Sequence, residues 1–247
     1  MKKNGNVNGG NKNWFARHKV LSTILGFVLL IIIVSIANGG NKTSPTKSVA
    51  NASNTTSSKS STTTTTKPVA TVSARKVTGI ATTLGAGTFK GGTDVAVGLY
   101  NVTTGAGQSG NFIVSGTDSY DEILGVSGGQ GVPQIRVQIS KGDSIQISGL
   151  SSVVFTPVTT PYVTTHTTTT LTTGTFTVGQ DIGAGRYVAT PPSGQSGNFI
   201  VTGNDSYDEI LGGDSSLGEV PSLTVNLTNG DVIQISGMSG VTLTATN

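Results

Sequence analysis

An all-β chain is predicted, with two tandem small antiparallel β-sandwich (jelly-roll-like) domains after an N-terminal transmembrane helix and a disordered stalk. Three observations predict it: apolar residues alternate with period two beyond residue 76, one block of sequence occurs twice, and an uncharged apolar run lies near the N-terminus. Composition points the same way. Gly supplies 35 of 247 residues while charged residues are 11% and aromatics 5%, which suits short strands and turns better than helical bundles.

Residues 20–37 read VLSTILGFVLLIIIVSIA without a charge. A helix of that length covers about 27 Å, close to one hydrocarbon core, and Ser22, Thr23 and Ser35 are too few to make a polar face. Lys2, Lys3, Lys12, Arg17 and Lys19 precede it, so the positive-inside rule puts the tail 1–19 in the cytoplasm and everything after residue 37 outside. The lipid bilayer is thus the first expected partner, through residues 20–37. The alternative is a secreted product, because Ser35-Ile36-Ala37 also suits signal cleavage before Asn38.

Residues 38–76 form the expected stalk, rich in Asn, Ser, Thr and Lys, with Pro45, Pro68 and a run of threonines at 62–66. Such a stretch lacks the apolar groups that offset ordering entropy, and as a flexible chain it would span about 35 Å root-mean-square and about 130 Å fully extended. A second tract, TPVTTPYVTTHTTTTLTT over 156–173, has the same character; 159–173 is read as a linker between two modules, 77–158 and 174–247. Thr also favours strands, and Pro157 and Pro161 argue against a long central one here.

The modules are copies. QSGNFIVSGTDSYDEILG from Gln108 recurs as QSGNFIVTGNDSYDEILG from Gln195, and Gly142-Asp143 through Gly149 recur as Gly230-Asp231 through Gly237. Strand-length alternation runs through Phe176/Val178, Tyr187/Ala189, Phe199/Val201, Leu223/Val225/Leu227, Ile233/Ile235 and Val241/Leu243. Asn229-Gly230 between two such runs signals a hairpin. Two units joined by a Thr-rich tract suit independent domains better than a solenoid, with a small open barrel as the alternative sandwich-sized architecture.

Chemistry is sparse. Cys is absent, and of the imidazoles His18 and His166 neither falls inside a module, so no Ser-His-Asp or Cys-His constellation can be assembled. Gly105, Gly107 and Gly110 satisfy G-x-G-x-x-G, but a strand follows rather than a helix and Pro192 replaces the first glycine in the second copy, which removes nucleotide binding. Cations cluster before residue 77 and both modules carry more acids than bases, so nucleic acid is not expected as a partner.

The candidate site is the acidic block with Asp118, Asp121 and Glu122 and its copy with Asp205, Asp208 and Glu209, whose oxygens are the type Ca²⁺ takes. The simpler reading has Asp118 and Asp205 cap turns, Tyr120, Tyr207, Ile123 and Ile210 pack inward, and the remaining acids stay solvated, with no cofactor at all. Tyr100, Tyr120, Tyr187 and Tyr207 are candidate binding residues, able to stack on a sugar or a partner side chain, or else core tyrosines.

The strings GTFTVGQDIGAGRYVAT, GNFIV, EILG and GDVIQISG resemble a repeated module of uncharacterised extracytoplasmic proteins of Gram-positive bacteria, of the lactic-acid-bacterial kind. The likeness is closer in the second copy; Leu99 stands in the first where Arg186 stands in the second. The resemblance implies a β-rich surface module and no activity. The expected function is therefore non-enzymatic: a single-pass type II membrane protein displaying two β-modules at the cell envelope, with a wall polymer or surface protein as partner. The rivals are a wall-glycan or peptide hydrolase acting through the Asp/Glu clusters and a Ca²⁺-stabilised spacer.

Overall fold

A computed structural model describes residues 73–126 and 130–247, and they form an all-β assembly without an α-helix among them. The tail 1–19, the segment 20–37 expected to span a membrane and nearly all of the expected stalk lie outside the described residues. No helix among the described residues is long and apolar enough to cross a membrane.

In the first module the strands are β1 (Thr82–Leu84), β2 (Gly87–Lys90), β3 (Gly98–Thr104), β4 (Gly110–Ser115), β5 (Tyr120–Leu124), β6 (Gln134–Ile139), β7 (Ser144–Ser148) and β8 (Val153–Pro157). They pair in the orders β1-β8-β3-β6 and β2-β7-β4-β5, every pair antiparallel. One face of each layer is apolar at period two, and Tyr100 and Val102 of β3 meet Phe112 and Val114 of β4 and Ile145 and Ile147 of β7 in a single core.

The second module has β9 (Thr169–Thr177), β10 (Gly185–Thr190), β11 (Gly197–Thr202), β12 (Tyr207–Leu211), β13 (Leu223–Leu227) and β14 (Val232–Thr246). Its pairings repeat those of the first module, except that β9 does the work of β1 and β2, and β14 that of β7 and β8. The register of β14 on β9 shifts between Ile235 and Gly240, and at this irregularity each long strand passes from one pairing set to the other. A second core, including Tyr187, Phe199, Val225 and Ile233, fills this module.

Four expectations need correcting. The Thr-rich tract 159–173 is not all linker: Thr169 onward is strand, because β14 offers a complete hydrogen-bonding edge and Leu171 a core anchor, whereas Pro157 and Pro161 lie before the strand begins. The modules are not independent and the pairing is not wholly antiparallel: β6 pairs in parallel with β9, Ile135 with Thr173 and Arg136 with Gly174, which joins both modules in one ten-stranded sheet. The turn at Asn229 and Gly230 forms, yet β13 and β14 do not pair with each other; β13 pairs with β10, so the turn carries the chain between pairing sets.

That turn is held by a buried carboxylate. Asp231 is fully buried, and its Oδ1 accepts from the Asn204 N–H at 2.7 Å while its Oδ2 accepts from the Thr228 N–H at 2.7 Å. Gly203 has φ +138°, and a Cβ there would sit 2.5 Å from Asp231 Oδ1, so only glycine leaves room for the carboxylate. Asp143 repeats the device, accepting from Thr117 and Ser140. Burial pushes the Asp231 carboxyl up, but the backbone donors outweigh it and hold it below the ordinary value. Its stabilising effect is therefore present above the ordinary carboxylate range and lost as pH falls through the lowered value. Asp231→Ala, which strands the Asn204, Asp205 and Thr228 backbone donors, is expected to cost about 3 kcal/mol in urea unfolding, and Asp205→Ala, which removes one exposed side-chain contact, under about 1 kcal/mol.

Candidate functional site

The two acidic blocks lie on β5 and β12, where strand alternation divides them. Along β5, Tyr120, Glu122 and Leu124 are buried while Asp121 and Ile123 are exposed. The expected inward packing of Ile123 and solvation of Glu122 are thus reversed in the first copy, since residues two apart share a face and Tyr120 fixes which one is inside. Asp118 accepts from Ser140 Oγ at 2.7 Å and Asp205 from Thr228 Oγ1 at 2.8 Å, so both brace turns, as the simpler reading has it. Burial, and less so the neighbouring Asp143, raises the Asp118 carboxyl, with the Ser140 bond opposing.

The carboxylates do not converge. Among the described residues no three acidic or imidazole side chains are grouped to hold a metal ion. Asp121 and Glu122 point to opposite faces, as do Asp208, which is exposed, and the half-buried Glu209. The tyrosines are occupied too. Tyr100 and Tyr187 are fully buried, with their hydroxyls donating to Ala96 O and Gly183 O, each at 2.7 Å. The Tyr120 hydroxyl accepts from the Gln138 N–H at 3.2 Å and that of Tyr207 from the Asn226 N–H at 3.0 Å, so each caps one donor of β6 or β13. His166 packs edge-on against Tyr187, ring centroids 4.7 Å apart, and its Nε2 meets Arg186 O at 2.9 Å.

The charged side chains gather instead at the junction of the modules. Asp181 Oδ1 accepts from the guanidinium groups of both Arg75 and Arg136, all three side chains being 10% exposed or less. Its Oδ2 accepts from the Thr177 N–H at 2.8 Å, which ties the carboxylate to its own turn. Arg136 also lies over the Phe176 ring, 4.9 Å from its centroid, and Arg75 over Tyr162 at 4.7 Å. Arg75, placed in the stalk by composition, is in fact an ordered part of this junction; its Nε donates to Thr160 O at 3.2 Å. Burial lowers the Arg136 guanidinium, Asp181 opposes that, and Arg75 adds to it. Close approach of the backbones needs Gly174, where a Cβ would stand 2.1 Å from Arg136 O.

Glu122 completes the junction from the other layer. It is 8% exposed, and its Oε1 and Oε2 accept from the Gly237 N–H of the second module at 3.0 and 3.3 Å. Burial pushes its carboxyl up to about 7; the Gly237 donor opposes the rise and Asp121 adds to it. Arg136 escaped the sequence reading, although a charge between Ile135 and Val137 at a position where the second copy has Thr224 was a visible signal. Neither a family model, nor a curated protein, nor a solved structure matches the chain.

Two outcomes follow. Because the folded chain holds the Glu122 proton more tightly than the unfolded one, its contribution is complete below about 4.5 and is lost as pH rises through about 7. Unfolding between pH 5 and 8 should lose about 3 kcal/mol from this group, and Glu122→Gln should flatten that slope. Asp181→Ala leaves two buried cations facing one another; a loss of about 3 kcal/mol and separation of the calorimetric transition into two are expected.

Proposed function

We propose that the chain is a single-pass type II membrane protein, anchored through residues 20–37, that displays its paired β-modules outside the cell as a binding or structural element of the bacterial envelope. The observation that carries the reading is the uncharged apolar run 20–37 with Lys2, Lys3, Lys12, Arg17 and Lys19 before it, followed by a polar stretch and then the all-β unit. The strand orders β1-β8-β3-β6 and β2-β7-β4-β5, and the pairings that repeat them in the second module, support a jelly-roll reading of each module.

The geometry favours display over catalysis. Asp118 and Asp205 are spent on turns and Glu122 on the junction, and the tyrosine hydroxyls on backbone partners. What the junction supplies is a fixed spacing between two similar modules, which suits presentation of a repeated surface to a wall polymer or a surface protein. The resemblance of GTFTVGQDIGAGRYVAT and its companion strings to extracytoplasmic Gram-positive modules supports the same location.

The test is topological. Protease added to intact protoplasts should remove residues 77–247 and leave the basic tail, and immunoblotting should place the intact chain in the membrane fraction. A product beginning near Asn38 in the medium would replace the anchor with secretion, and protection of residues 77–247 would overturn the orientation.

A further inference from the structure

The junction uses different halves of the two modules. The first module contributes the β6 edge and Glu122, and the second contributes Thr173, Gly174 and Gly237. Each half has a counterpart in the other module. Aligned on the repeated block, Leu223 and Thr224 of β13 stand for Ile135 and Arg136, and Glu209 stands for Glu122; Ala86, Gly87 and Gly149 stand for Thr173, Gly174 and Gly237.

Burial separates the used halves from the unused ones. Ile135, Arg136, Thr173 and Gly174 are buried, whereas Leu223 is half-buried and Thr224, Ala86 and Gly87 are exposed. The β13 strand pairs with β10 alone among the described residues, and its edge is capped at Asn226 by Tyr207 just as β6 is capped at Gln138 by Tyr120. In β6 the stretch left open by that cap, at Ile135 and Arg136, is where β9 pairs. Glu209 makes no hydrogen bond or ion pair among the described residues, unlike its counterpart.

The receiving side carries the counterparts of two residues that hold Arg136. A shallow depression of about 270 Å³ in the first module is lined by Phe89 and Asp94, the counterparts of the Phe176 and Asp181 that hold Arg136 in the second. The cation on the β13 face is Arg186, exposed and paired in register with Asn226 one strand in from the edge.

We propose that the second module of one chain docks on the first module of another copy as the two modules dock within a chain, with Leu223 and Thr224 beside Ala86 and Gly87. The contact is heterologous, since each chain keeps one donor half and one acceptor half, and it propagates head to tail. A free strand edge beside an exposed glycine stretch supplies backbone pairing, and the Glu209 carboxyl accepts from the Gly149 N–H as Glu122 does from Gly237.

The chain has no Cys, so introduced thiols report on this contact alone. The full-length chain in detergent micelles, carrying Ala86→Cys and Leu223→Cys, should give a reducible ladder of dimers, trimers and larger species under mild oxidant. The two single variants mixed should stop at the dimer, and neither should cross-link alone. Ala86→Cys with the exposed Thr224→Cys repeats the test without touching an apolar side chain. Sedimentation equilibrium of the unmodified chain should give a mass that rises with concentration. A monomer at all concentrations, a link within one chain, or dimers of Ala86→Cys alone would each overturn the proposal.

Discussion

A carboxylate taken out of water must be matched by donors, and at the module junction Asp181 is matched by two guanidinium groups and a backbone N–H. That requirement draws in residues from three places: Arg75 from the segment before the first module, Arg136 from its edge strand, and Thr177 from the second module itself. Once Arg136 is held there, β6 lies against β9 and its edge is closed, which removes an unpaired row of backbone groups. Arg136 is held on one side only: its Nε has no hydrogen-bond partner, and the ring of Phe176 covers it instead.

The same principle of buried carboxylate against backbone donor recurs within the modules. Asp143 and Asp231 each gather N–H groups from two loops and thereby hold the turns that cross between pairing sets. Glu122 differs because one donor, Gly237, cannot offset its desolvation, so the group prefers its proton. A charge that must be neutralised to be buried makes the junction sensitive to conditions in a way that Asp231, with its several donors, is not.

Much of this was legible in the residues themselves. Period-two alternation located β10, β11, β13 and both parts of β14, since each strand buries one face against a core that its own apolar residues build. The duplicated block predicted the repeated topology, and Gly-Asp at 142–143 and 230–231 marked real turns. What was not legible depends on partners distant in the chain. The strand in TTLTTGTFT has little alternation of its own and exists because β14 lies beside it. Glu122 and Glu209 sit in the same string YDEIL, so no local rule could tell the buried one from the other.

That pair of identical strings isolates what tertiary context contributes. Both strands offer Tyr, Asp, Glu, Ile and Leu in the same order, and both tyrosines cap the neighbouring edge strand, so the local structure is the same twice over. Only one glutamate finds a second module above it. Among the positions at which the copies differ are Arg136 against Thr224 and Leu99 against Arg186. The first copy has a cation on its edge strand, where it serves a buried carboxylate, and the second has one on the next strand in, where it faces solvent. A surface that had merely become redundant after duplication would be expected to collect polar residues without regard to position. Here the hydroxyl cap, the glutamate and the edge strand are all present and a cation stands one strand in, so the second module has the parts of a docking face.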